Sequence, residues 1–276
     1  MATETEASNK IDSLNKVIQS TSSDSIKINT LNELSWSLKS SNPDTAISLS
    51  THALKLAREI DSKKGVAKSQ NNLGVYHYYQ SNFTNALKYY YNSLNTYKEI
   101  NDKKGIGSSY NNIGNIYFRQ SNYPKALEYY FKSLEIKKEM NYKKGMTYTY
   151  NNIGVIYKKQ ENYKKALKYY LKSLDIDKEM NNKSELANSF TNIANIKKKQ
   201  GDFIKALEYH FKALEVRKDI NDKRGMTSNY TNLGYLLSST CEKEDSTKKT
   251  IVEWFKNKGE LEKKRQHSNF LRYMKK

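Results

Sequence analysis

The chain has 276 residues, with 48 Lys and Arg against 29 Asp and Glu, a net charge of +19 and a mean hydropathy of −0.90. It contains no apolar run of roughly 18 residues, the length a membrane-spanning helix needs, and its single cysteine, Cys241, excludes an intrachain disulfide and a cysteine-based metal site. The opening MATETEASNK lacks the apolar core of a secretory leader, so a cytoplasmic location is expected, or a periplasmic one if a leader has been removed. The charge has two readings. It fits an anionic partner such as an acidic protein, a nucleic acid or a membrane surface. It equally fits a Lys-, Asn-, Tyr- and Ile-rich composition whose lysines form an ordinary solvated face interleaved with Glu99, Glu139, Glu179 and Asp219.

In chain order, residues 1–24 read as a tail (1–8) and a capping helix over 9–21 with Ile11, Leu14, Val17 and Ile18 at helical spacing. Ser22, Ser23 and Asp24 offer an N-cap to the next helix. Residues 25–65 form a degenerate helix pair. Leu31, Leu34 and Leu38 lie on its first helix beside Trp36; Asn42-Pro43-Asp44 opens the second, which carries Ala46, Ala53, Leu54 and Leu56. The span from first to second helix is one residue shorter here than later in the chain. A 40-residue unit then recurs without gaps over 66–105, 106–145, 146–185 and 186–225, and a half-copy covers 226–240. A fixed period of that length marks a solenoid, in which each unit buries its apolar face against its neighbours. Residues 241–276 read as a polar loop, an amphipathic capping helix through Ile251, Val252, Trp254 and Phe255, and a basic tail.

Inside the unit, Ile106, Tyr110, Ile113 and Tyr117 fall on one helical face, a polar break follows at Gln120-Ser121-Asn122, and Leu127, Tyr130, Phe131 and Leu134 form a second stripe. Pro124 sits at the start of this second helix, where its missing N–H is harmless. The break at 141–145 ends the unit, with Gly145 expected to supply a positive φ. Each unit is thus a helix A, a turn and a helix B. Small residues recur in pairs, Gly74/Ala86, Gly114/Ala126, Gly154/Ala166 and Ala194/Ala206. A glycine inside a helix costs about 1 kcal/mol against alanine, so its repetition points to a close approach of the two helices.

The pattern Leu/Ile-Gly-x-x-Tyr, then Asn-Tyr-x-x-Ala-Leu, then Tyr-x-x-Ser-Leu resembles the tetratricopeptide repeat (TPR) family over about residues 26–240. The 40-residue form is similar to the repeats of Pins/LGN-type spindle adaptors and of bacterial sensor proteins. The resemblance implies an all-α, right-handed TPR superhelix, an α-solenoid of about five helix-turn-helix repeats with terminal capping helices. It further implies a scaffold or regulatory input module that binds an extended or helical peptide segment in a concave groove lined by helix A.

No catalytic constellation is present. His52, His77, His210 and His267 have no ligand-pair spacing, and His77 and His210 stand where other repeats carry tyrosine, as packed rings. The glycines lie a repeat apart and form no phosphate loop. The carboxylates are explained by pairing with lysines at i,i+4. The chain is therefore read as a non-enzyme without cofactor or metal.

Candidate groove residues come from the repeat register. Two before the small position stand Asn72, Asn112, Asn152, Asn192 and Asn232; one earlier stand Asn71, Asn111 and Asn151, replaced by Thr191 and Thr231; one after it stand Asn115 and Asn195. Asparagine is a poor helix former, so these positions need a reason. Their carboxamides could hold the backbone of an extended ligand about every third residue, or they could bond neighbouring helices. On the last turn of helix A come Tyr78 and Tyr79, then Phe118 and Arg119, then Lys158 and Lys159, then Lys198 and Lys199, aromatic at one end and basic at the other. A protein or peptide with an apolar segment followed by acidic residues fits this gradient. Nucleic acid binding through the lysines is the alternative, and a peptide or small-ligand sensor role is another.

Overall fold

The computed structural model describes residues 2–241, with side chains for residue 9 and residues 11–238. The terminal helix and basic tail expected after Cys241 lie outside the described residues. Twelve α-helices follow one another: α1 (Ala2–Ser20), α2 (Asp24–Leu38), α3 (Pro43–Glu59), α4 (Lys63–Tyr79), α5 (Phe83–Glu99), α6 (Lys103–Arg119), α7 (Tyr123–Glu139), α8 (Lys143–Lys159), α9 (Tyr163–Glu179), α10 (Lys183–Lys199), α11 (Phe203–Asp219) and α12 (Lys223–Cys241). Among the described residues there is no strand. The fold is the all-α repeat solenoid expected from the periodicity, with even-numbered helices as helix A and odd-numbered ones from α3 as helix B. Contacts group the chain into two compact units, one ending at Thr149 and one beginning at Tyr150. α1 begins at Ala2, well before the expected residue 9.

The helix ends are set by turn chemistry. From α3 to α11, the second residue past the helix takes a left-handed φ of 48° to 59° at Asp61, Ser81, Asn101, Ser121, Asn141, Glu161, Asn181 and Asn221, and 79° at Gly201. This corrects the expectation for Gly145. That glycine, like Gly105, lies inside a helix, and the asparagine ahead of it absorbs the strained backbone. Gly105 is required by close approach: a Cβ there would stand 2.3 Å from the Tyr97 ring. One residue after the left-handed position comes the N-cap. Ser62, Asn82, Asp102, Asn122, Asn162, Asn182 and Asp202 each accept a hydrogen bond from the amide three residues on. Ser23, by contrast, makes no such bond with its side chain.

Tyr142 occupies the N-cap position of α8, where the preceding repeat has Asp102 bonding Gly105 N at 2.9 Å. A tyrosine cannot cap, and a lost cap costs about 1 kcal/mol. Tyr142→Asp is therefore expected to stabilise the first unit by about that amount, read as a higher urea midpoint. No gain would mean that the ring's cover over Gly145 and its contact with Lys104 offset the missing cap.

The A–B junction is solved in three ways. In the first, a tyrosine of helix B lies flat on a glycine of helix A: a Cβ at Gly74, Gly114 or Gly154 would meet the ring of Tyr90, Tyr130 or Tyr170 at 2.6 to 2.7 Å. In the second, the equivalent positions hold Ala194 and the smaller ring of His210, both completely buried. In the third, Ser35 of α2 bonds Ser50 of α3 at 2.9 Å, and Tyr76 of the next helix A fills the space and donates to Ser35 Oγ at 2.8 Å. Ile116, Ile156 and Ile196 hold the position of Tyr76 elsewhere. Ser35 stands eleven residues before Ala46 where Gly74 stands twelve before Ala86, which is the shorter span read from the sequence.

Around these junctions the first unit packs Val75, Tyr76, Ala86, Tyr90, Leu94, Ile113 and Ile116. The second packs Ala166, Tyr170, Leu174, Ile193 and Ile196, and further along Ala206, Leu207, Leu214, Leu233 and Leu236.

Candidate functional site

Helix A presents its asparagines at the junction with the preceding helix A, and several spend a bond there. In the first unit Asn112 Nδ2 donates to Asn71 Oδ1 at 3.1 Å, and both residues are half-buried. Asn72 differs. It is 5% exposed, and its Nδ2 donates to both Oδ1 and the backbone O of Asn32, at 3.1 and 3.3 Å. Asn72 is thus a buried inter-helix tie, away from the accessible surface expected of a groove residue. Asn32 is the counterpart of Asn71, hidden from repeat alignment by the shortened first unit. Asn115 Oδ1 accepts the Tyr130 hydroxyl at 2.8 Å, so its acceptor faces the A–B junction. Where Val155 replaces it, the Tyr170 hydroxyl is buried without a partner.

In the second unit Asn152, Asn192, Asn195 and Asn232 are half-buried on α8, α10 and α12, and Asn151 Oδ1 is buried without a bond. Thr191 and Thr231 bond their own helix, at Ala187 O and Thr227 O, and Thr191 Oγ1 also lies 3.3 Å from Asn229 Oδ1 on α12. The bonds between neighbouring helices that the sequence left open are therefore present for Asn72 and Asn112.

Behind these residues lie buried groups that the sequence reading missed. Equivalent positions on helix B hold Tyr97, Lys137, Asp177 and Arg217, all buried. In the first unit Lys137 Nζ donates to Thr149 Oγ1 at 2.7 Å, and Thr149 Oγ1 lies 3.3 Å from Asn111 Oδ1. Burial alone pushes the Lys137 ammonium down to about 8. In the second unit Asp177 accepts from Ser189 at 2.8 Å, and burial raises its carboxyl. Arg217 donates to Gly225 O, Asn188 Oδ1 and Asn229 Oδ1, and Asn229 Oδ1 also faces Thr191 Oγ1 at 3.3 Å. The available signal was a position that changes from Tyr to Lys to Asp to Arg amid near-identical neighbours.

The last turns of helix A hold aromatic rings and Arg119 in the first unit and lysines in the second. In the first unit Tyr79 is 60% exposed, Tyr78 packs against Phe83, and Arg119 Nε donates to the Tyr78 hydroxyl at 2.8 Å, with Phe118 beside Tyr123. In the second unit Lys158 and Lys198 are half-buried, and Lys159 and Lys199 are exposed. Burial, then Lys159 and Lys199, lowers the basicity of Lys158. Lys158, Lys159, Lys198 and Lys199 have no carboxylate within 4.0 Å among the described residues.

His77 and His210 are packed rings. His77 stacks on Tyr89 with centroids 5.4 Å apart, and neither nitrogen of His210 has a hydrogen-bond partner. Among the described residues no three His, Cys, Asp or Glu side chains converge, and no helix is long and apolar enough to cross a membrane.

Solved structures share the fold. BtubC (BKLC) from P. vanneervenii superposes with a TM-score of 0.66 at 20% identity, covering 79% of this chain and 90% of that one. A signal transduction ATPase with numerous domains and a tetratricopeptide repeat sensor, from Pyrococcus horikoshii, gives 0.69 at 17% identity over 88% of this chain, which spans only 38% of that protein. A Rap protein complexed with competence and sporulation factor gives 0.61 at 13% identity, covering 87% and 73% of the two chains. No curated protein sequence matches this one. The tetratricopeptide repeat family model matches residues 65–139 and 145–219, more than half of the sequence. On that match and on its paired helices, the chain belongs to the tetratricopeptide repeat family.

Proposed function

We propose that this chain is a protein-interaction module, a scaffold or regulatory input domain without catalysis of its own, which holds a peptide segment against its helix A faces. The observation that carries this reading is the half-buried Asn112. One bond to Asn71 fixes its orientation, while its Oδ1 and second N–H make no other bond among the described residues. A carboxamide held in this way offers a ligand backbone one acceptor and one donor without first having to be ordered. Asn192 repeats the position on α10 of the second unit. Asn72 is left out of the proposed set because it is buried. The sensor-bearing ATPase and the Rap protein complex of the same fold support the regulatory form of the reading.

The test compares the parent with an Asn112, Asn152, Asn192→Ala variant of equal helicity, each used to capture proteins from a nuclease-treated lysate. Proteins held by the parent and lost by the variant are expected. Equal capture would make the asparagines structural ties, as Asn72 is.

A further inference from the structure

The two edges of the repeat array treat lysine differently. At the edge where helix B turns into helix A, lysines are neutralised in a repeating pattern: Lys63 pairs with Glu99 at 3.2 Å, Lys103 with Glu139 at 3.0 Å, and Lys183 with Asp219 at 3.7 Å. These pairs join the two ends of a helical hairpin and replace most of the i,i+4 pairing expected from the sequence. At this edge, then, one lysine of each of these hairpins meets a carboxylate from the hairpin's other end. At the opposite edge, where helix A turns into helix B, the second unit breaks that pattern.

Residues 158–172 contain six lysines and one carboxylate, Glu161, which makes no ion pair among the described residues. Lys164 and Lys165 lie in the first turn of α9, where the helix dipole disfavours a cation. On the neighbouring turn, Asp202 is shared between Lys197 at 3.9 Å and Lys205 at 3.3 Å, which leaves Lys198 and Lys199 uncompensated. Ammonium groups gathered in this way cost stability, and local rules are broken most often at functional sites.

We propose that the α8–α9 and α10–α11 turns of the second unit form a docking surface for an acidic protein segment, whose carboxylates meet Lys158, Lys159, Lys198 and Lys199. The proposal rests on the groove reading for taking the ligand to be a protein, and it assigns that ligand's acidic part to this edge. The lowered basicity of Lys158 is consistent with it, since an incoming carboxylate relieves repulsion already present. A nucleic acid fits less well. Binding single strands without sequence preference uses exposed rings on which bases stack, and here the rings are committed to packing: Tyr157 stacks on Tyr169 at 5.5 Å, and Tyr163 packs against the Tyr170 cluster.

The test uses the full chain and a fluorescent, glutamate-rich peptide followed by anisotropy at several salt concentrations, with a single-stranded oligonucleotide of equal charge as the second probe. The parent binds the peptide, and a Lys158, Lys159, Lys198, Lys199→Gln variant binds it about tenfold or more weakly, without a lower thermal midpoint. Lys63→Gln with Lys103→Gln, which removes charge from the neutralised edge, leaves binding unchanged. Absent peptide binding, equal loss in that control, or an oligonucleotide bound as tightly as the peptide overturns the proposal. The asparagine variant separates the two readings. Peptide retained by that variant but lost with the lysines removes the groove and keeps the edge; the reverse pattern removes the edge alone.

Discussion

Gly154→Ala is expected to destabilise the second unit by about 2 kcal/mol, even though alanine is the better helix former by about 1 kcal/mol. The added Cβ would stand 2.6 Å from the ring of Tyr170, a buried side chain in a packed cluster with Ala166, Leu174, Ile193 and Ile196. The ring cannot retreat, because it sits between its own helix and the following helix A. The chain contains its own remedy one repeat later, where the equivalent positions hold alanine and histidine. Tyr170→His in the Gly154→Ala background therefore recreates the Ala194/His210 junction and is expected to restore part of the loss. Tyr170→His alone leaves a cavity and costs a comparable amount. Urea unfolding of the parent, both single variants and the double variant gives the coupling, expected at about 2 kcal/mol. Additive losses would mean that the glycine answers to something other than the tyrosine. Because repeats are stabilised mainly by their neighbours, the transition should be followed by more than one probe, so that local loss in the second unit is not mistaken for global loss.

That coupling also shows what a single sequence reveals and what it hides. The 40-residue period and the apolar stripes through Ile113, Tyr130 and Leu134 were readable because helical spacing maps directly onto a buried face. The small-residue pairs were readable as close approaches, since glycine inside a helix is costly without one. The turns were only half readable. Gly145 draws the eye as a breaker, whereas the left-handed residue is Asn141 and the glycine is required by packing inside the next helix. Local propensity names the set of turn residues but not which candidate within the segment bends.

The candidate surface was legible in register but not in depth. Asn72 and Asn112 occupy equivalent positions in sequence, yet one is buried against Asn32 and the other keeps free hydrogen-bonding capacity. The difference lies in the neighbouring helix, where Asn72 also reaches the backbone O of Asn32, a contact that no reading of Asn72 itself contains. Lys137, Asp177 and Arg217 were invisible for a related reason. A charged residue on helix B reads as solvent-facing, and only the adjoining Thr149, Ser189 and Asn229 make its burial tolerable.

Acid should weaken the chain through His210, and the sign follows from its surroundings. The ring is completely buried, neither nitrogen has a partner, and burial, then Lys198, then Arg217, pushes it down to about 4 from an ordinary value of 6.5. Above pH 6.5 the ring is neutral in both folded and unfolded chains, so its contribution is fully present there. Between pH 6.5 and 4 the unfolded chain takes up a proton that the folded chain refuses, and stability falls with pH, by roughly 3 kcal/mol in total. Other groups titrate in the same range: burial also lowers His77, and it raises Asp177, which acts with the opposite sign. The effect of His210 is therefore isolated by difference. Ala194→Gly with His210→Tyr converts this junction into the glycine–tyrosine form and removes the titrating ring. It also places a hydroxyl where Asn195 can accept it, as Asn115 accepts that of Tyr130 at 2.8 Å. Urea unfolding at pH 7 and at pH 4.5 should show the parent losing at least about 2 kcal/mol more than this variant. An equal loss in both would mean that the second unit opens enough to hydrate His210 before it charges, and would place its acid sensitivity in the carboxylates instead.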